Sequence, residues 1–137
     1  MARILALDYG TKKTGIAVTD PLQIIASPLT TIPTTSLFEW LETYLQEEEV
    51  EKIVVGEPLN DDGSPAKIHH LVVGVVRQLR KQYPELPIVW QDERYSSQDA
   101  RAIILRSGTK KMKRRDKTLV DKVAAVLILQ DYLGHRV

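Results

Sequence analysis

The chain has no cysteine, which excludes disulfide bonds, thiolate metal ligands and a thiol nucleophile, and fits a reducing compartment. It also lacks long apolar runs. Leu71 to Val76 and Val123 to Leu129 fall far short of the roughly 20 residues needed to cross a bilayer, so no membrane span is expected. No charged head followed by an apolar stretch and a small-residue cleavage site opens the chain, so export is not expected and the location is read as cytoplasmic. Histidine is scarce. His69, His70 and His135 have no spacing suited to zinc and read as surface residues. Net charge is nearly absent, with 19 basic residues against 18 acidic ones, and a sum of +1 by itself implies no polyanionic partner.

What is present is enough for one domain. At 137 residues and 43% hydrophobic composition, residues 1–137 are expected to form a single packed unit without internal repeats. An apolar strand from Arg3 to Asp8 and a second after Lys13 flank a turn with Gly10, and read as a hairpin. Leu22 to Thr31 is expected to be a third strand, Pro28 implying a sheet edge or a bend. Ser36 is a plausible N-cap for a helix carrying Leu37, Trp40, Leu41, Tyr44 and Leu45 at helical spacing. Lys52 to Gly56 is a continuous apolar strand of the kind covered on both faces. After the turn formers of Asn60 to Pro65, an apolar helical stripe runs from Ala66 to Tyr83. Pro87 to Trp90 is a further strand, followed by a helix capped at Ser96 or Ser97, a basic loop from Ser107 to Arg115, and a last helix from about Lys117 to Leu133. Trp40, Trp90 and Tyr132 suit packed positions better than base-stacking platforms. Three antiparallel strands followed by right-handed crossovers imply a five-stranded mixed α/β sheet, the first strand central, with helices on both faces.

In such a fold the C-terminal ends of the parallel strands share one edge, the usual ligand site. Asp8, Glu57 and the Asp92-Glu93 pair stand at such ends, and Asp121 lies in the first turns of the last helix. Each has a plain alternative. Asp8 suits a turn former, Glu57 and Asp92 suit solvated strand ends, and Asp121 suits a helix dipole partner. Jointly, carboxylates from separated segments without thiolates favour Mg²⁺ or Mn²⁺, and such a centre can hydrolyse a phosphodiester.

The motifs Leu7-Asp-Tyr-Gly-Thr-Lys-Lys-Thr-Gly-Ile-Ala-Val, Val55-Gly-Glu-Pro-Leu-Asn with Asp62-Gly, Asp92-Glu-Arg-Tyr-Ser-Ser and Val120-Asp-Lys-Val-Ala-Ala-Val-Leu-Ile-Leu-Gln, in that order, resemble the YqgF family, also called RuvX. The resemblance implies a ribonuclease H-like fold related to Holliday-junction resolvases. It implies a nuclease that matures the 5′ end of the 16S ribosomal RNA precursor, with Asp8, Glu93 and Asp121 as catalytic acids and metal ligands. Glu57 stands where the family pattern has an apolar residue more often, and Tyr95 where it has an aliphatic one.

Charge is unevenly distributed. Arg106, Lys110, Lys111, Lys113, Arg114, Arg115 and Lys117 are opposed by Asp116 alone, whereas Glu39 to Glu51 is strongly acidic. A basic run is usually a solvated surface, but beside Asp121 it suits phosphate contact, so Lys110, Lys111, Lys113, Arg114 and Arg115 are candidate nucleic-acid ligands. Lys12, Lys13 and Arg94 are further candidates at the same edge. Three classes of function follow. The first is a metal-dependent endonuclease on structured RNA or ribosomal particles, with branched DNA as the alternative substrate. The second is nucleotide binding, since Asp8 to Gly15 resembles the phosphate-binding hairpin of the actin-like ATPases, although one domain lacks their second half. The third is a non-catalytic RNA-binding ribosome or transcription factor.

Overall fold

A computed structural model describes residues 2–93 and 117–134, the side chains of residues 117–122 excepted. The expected helix after Ser96 and the basic loop lie outside the described residues. The elements are β1 (Arg3–Tyr9), β2 (Lys13–Thr19), β3 (Ala26–Pro33), a 3₁₀ turn (Thr34–Ser36), α1 (Leu37–Glu47), β4 (Val50–Glu57), α2 (His69–Gln82), β5 (Ile88–Asp92) and α3 (Lys117–Leu133). The sheet order is β3-β2-β1-β4-β5. β1 pairs antiparallel with β2 and parallel with β4, which pairs parallel with β5. The mixed α/β sheet with a central β1 is therefore as the sequence implies.

Strand alternation divides the core. Leu5, Leu7, Ile16, Ile53, Val55 and Ile88 face α1 and α2, where Leu37, Leu41, Val72, Val76 and Leu79 complete a buried layer. The intervening Ile4, Ala6, Ala17 and Val54 face α3 and meet Ala125, Ile128 and Leu129. Small residues on both sides of this second interface let the helix lie close to the sheet. Because both faces are covered, β1 and β4 read as unbroken apolar runs rather than alternating ones.

Two boundaries and one cap differ from expectation. The third strand begins at Ala26, not Leu22, because Asp20 organises the preceding turn. Its carboxylate accepts from the N–H groups of Leu22, Ile24 and Ile25 at 3.2, 2.8 and 2.7 Å. Gln23 takes a φ of 60° there, and Leu22, Ile24 and Ile25 are left exposed. At α1, Ser36 occupies the N-cap position but its side chain makes no capping hydrogen bond. α2 starts at His69, three residues after Ala66, because Asn60 to Pro65 closes as a compact turn with a Leu59–Pro65 bridge.

The β1–β2 turn is tied down by Thr34. Its hydroxyl donates to the Gly10 carbonyl at 2.6 Å and its N–H to the Lys12 carbonyl at 2.9 Å. With that proton committed, the Thr14 hydroxyl donates to Thr34 Oγ1 at 2.9 Å. A Cβ on Gly10 would lie 2.5 Å from the Lys13 carbonyl oxygen, a backbone atom that cannot swing aside. Gly10→Ala is expected to cost about 1–3 kcal/mol, measured by urea unfolding; an unchanged midpoint would show that the turn relaxes freely.

Candidate functional site

Asp8 follows Ile4 and Ala6 on the strand face turned toward α3, and Glu93 follows Val89 on the same face just beyond β5. The Glu93 N–H donates to the Glu57 carbonyl at 3.2 Å, extending the β4–β5 ladder by one step and fixing where the side chain departs. Between Asp8 and Glu93 lies β4, and the residue facing α3 at that level is Gly56. A Cβ there would sit 2.6 Å from Glu93 Oε2 and 2.7 Å from Ile128 Cδ1. The missing side chain is thus the space into which the Glu93 carboxyl folds, bringing it into a hydrogen bond with Asp8.

Two carboxyls cannot share a hydrogen bond while both are ionised, so one holds the proton. Burial, then the charge of Asp8, then their hydrogen bond and the charge of Asp92 push Glu93 up to about 10. The pair behaves as an acid dyad that shares one proton at neutral pH. Half-buried Asp131 of α3 is likewise raised, by burial and then by Asp92. The sequence reading did not single out Asp131, which lies near the far end of the helix whose first turns carry Asp121.

The positions of the other candidates divide by strand parity. Glu57 alternates with Gly56 and joins Val55 on the α2 face, where its carboxylate meets His69 Nε2 at 3.0 Å. His69 in turn stacks on Trp90, ring centroids 5.7 Å apart and planes within 8°. His69 is therefore a half-buried partner and not the surface residue expected. Trp90 packs against the core cluster on that face, as expected. Tyr132 packs on the α3 side, its hydroxyl 2.5 Å from Lys52 Nζ. Lys12 and Lys13 are exposed at the β1–β2 turn, on the same sheet edge as Asp8. Asp121 lies in α3, seven residues before Ile128, and its side chain lies outside the described residues. Arg94, Lys110, Lys111, Lys113, Arg114 and Arg115 also lie outside them.

A five-stranded mixed sheet with carboxyls gathered at the end of its central strand is the arrangement of a ribonuclease H-like domain. The chain belongs to the RuvX family, whose model, described as a Holliday junction resolvase, matches residues 2–135. A protein of Christiangramia forsetii described as "Putative pre-16S rRNA nuclease" is 48% identical over 133 residues, covering 97% of this chain and 98% of its own length. Proteins of Phocaeicola vulgatus and Porphyromonas gingivalis with the same description are each 47% identical, covering 97% and 98% of this chain and 96% and 98% of their own.

The dyad makes stability depend on pH in a defined direction. Folded Glu93 keeps a proton that the unfolded chain releases above about 4.5, so its contribution to the stability of the metal-free protein is fully present below that pH and is lost as pH rises toward about 10. The slope is at most about 1.4 kcal/mol per pH unit for one proton. Glu93→Gln is expected to flatten the dependence of melting temperature on pH over this range; equal slopes in both proteins would place the buried proton elsewhere. Gly56→Ala presses on the flexible ends of Glu93 and Ile128, so it is expected to cost only about 1–3 kcal/mol in chemical unfolding while displacing the Glu93 carboxyl. The pH slope of its melting temperature would then shrink toward that of Glu93→Gln, and a full wild-type slope would show the carboxyl undisturbed.

Proposed function

We propose that the chain is a divalent-metal-dependent nuclease acting on structured RNA, with the 16S ribosomal RNA precursor as its first substrate. One observation carries the reading: the Asp8 and Glu93 carboxyls are forced together beside the close-packed Gly56, at the sheet edge where ligands bind in α/β folds. The family match and the nuclease descriptions of the relatives support it.

The donor set suits Mg²⁺ or Mn²⁺, being all carboxylate oxygen. A divalent cation would also replace the proton in the dyad, because its charge offsets the repulsion that raises Glu93. Asp8 and Glu93 would hold it, with Asp121 completing the set. When bound there, such an ion lowers the pKa of the attacking water and stabilises charge at phosphorus. The chain's own contribution is placement. Asp8 comes from a buried central strand and Glu93 from a ladder-fixed strand end, so their separation changes little as substrate arrives. Lys12 and Lys13, exposed on a turn pinned by Thr34, would hold a phosphate of the backbone, and the residues from Arg94 to Arg115 named above would extend that grip. Phosphate contacts carry no base information, so substrate choice rests on shape.

Cleavage of branched DNA is the second reading, favoured by the description of the family model. The test compares a labelled 16S precursor with a four-way DNA junction, using the chain and Asp8→Asn in Mg²⁺ or Mn²⁺. RNA cleavage by the chain is expected, falling at least about 100-fold in Asp8→Asn, in line with loss of a group that stabilises transition-state charge. Junction cleavage alone would select the resolvase reading; equal cleavage by both proteins would remove Asp8 from the chemistry.

A further inference from the structure

At the other end of the sheet, two adjoining depressions of about 510 and 460 Å³ share Leu45 and Tyr83. They lie where α1 ends, β4 begins and α2 hands over to β5. Half-buried Leu45, Tyr83 and Leu86 form an apolar floor, and exposed Glu42, Glu49 and Glu85 stand on the rim. From Val50 to Glu57, β4 spans about 23 Å, so this groove and the Asp8 dyad occupy opposite poles.

Three features give the groove a sign. Among the described residues, Glu42, Glu49 and Glu85 make no ion pair. Glu42, Glu48, Glu49, Glu51 and Glu85 line the two depressions, against three nearby cations: Arg3, paired with Glu48 at 3.3 Å, and Arg80 and Lys81 in the last turn of α2, of which Arg80 donates to the neutral Ile88 carbonyl at 2.8 Å and keeps its charge. Both helices also point their C-termini here, and α1 carries no basic residue in its last turn, so its acids add to the negative end of the dipole. Tyr83 reports the same field, its hydroxyl raised above the ordinary tyrosine range by burial and then by Glu42.

We propose that this groove docks a basic peptide segment of a protein partner, an arginine or lysine lying over Tyr83 and its neighbours meeting the three rim carboxylates. Charge complementarity selects the occupant: the rim repels nucleic acid, and an apolar floor that includes the half-buried Tyr83 ring suits the stem and head of an arginine. Because the poles are opposed, the partner leaves the dyad edge open, so a docked chain and a nucleic-acid substrate bind together.

The test uses the full chain and fluorescein-labelled hexa-arginine, read by anisotropy at low ionic strength. Glu42→Gln, Glu49→Gln and Glu85→Gln combined are expected to weaken binding at least about tenfold, since several exposed charge pairs are lost together. Tyr83→Leu keeps the floor apolar and is expected to weaken it about threefold. Asp61→Asn with Asp62→Asn, exposed acids at the opposite pole, should change binding less than about twofold. Phosphodiester cleavage should stay at the wild-type rate in the triple variant. The proposal is overturned by equal losses in the two acid sets, by a peptide that competes with nucleic acid, or by sedimentation showing that the triple variant dissociates a dimer, which would make the occupant a second copy of the chain.

Discussion

The energetic problem at the centre of this protein is the repulsion between two carboxyls held together in a partly dry site. Left alone, Asp8 and Glu93 would part or one would keep a proton, and burial with the charge of its neighbours pushes Glu93 far toward the second outcome. Holding them together needs a rigid frame. β1 supplies it from the middle of the sheet, bonded on both sides, and β5 supplies it through a ladder that continues as far as the Glu93 N–H. A divalent cation would turn the same confinement from a cost into a binding site, which is how acid clusters become metal centres.

Strand parity makes neighbouring residues perform different tasks. Gly56 and Glu57 are adjacent, yet the first clears space for Glu93 on the α3 face and the second meets His69 on the α2 face. The Glu57–His69–Trp90 array holds the corner where β4 passes toward α2, behind the dyad. A one-residue slip in β4 would exchange these roles, so the apolar run Ile53 to Val55 that fixes the register also fixes the site.

Most of the architecture was legible because it follows from periodicity. The β1–β2 hairpin, the stripe of α1, and the apolar run of β4 each carry a pattern that one element satisfies, and the mixed sheet follows from their order. The start of β3 was not legible, because Ile24 and Ile25 look like strand residues until the Asp20 carboxylate takes their N–H groups into a turn. Asp8 and Glu93 could be named from their positions at strand ends and from family resemblance, whereas the shared hydrogen bond depends on the cavity at Gly56 and on the approach of Ile128, which bring distant segments together. His69 was misread for a related reason. A lone histidine shows no partner in sequence, and its two neighbours come from β4 and β5.

The outer edge of the sheet has a consequence for the molecule in a crowded solution. Among the described residues β3 is an edge strand, and Leu29 within it and Leu22, Ile24 and Ile25 just before it are exposed, which by apolar surface alone would invite self-association. Pro28 and Pro33 lie within that strand and bring no N–H to an incoming chain, and the pairing with β2 is irregular at Ile16 and Ala17. An approaching strand therefore finds apolar contact without a continuous row of hydrogen bonds, which disfavours its extension into a cross-β stack.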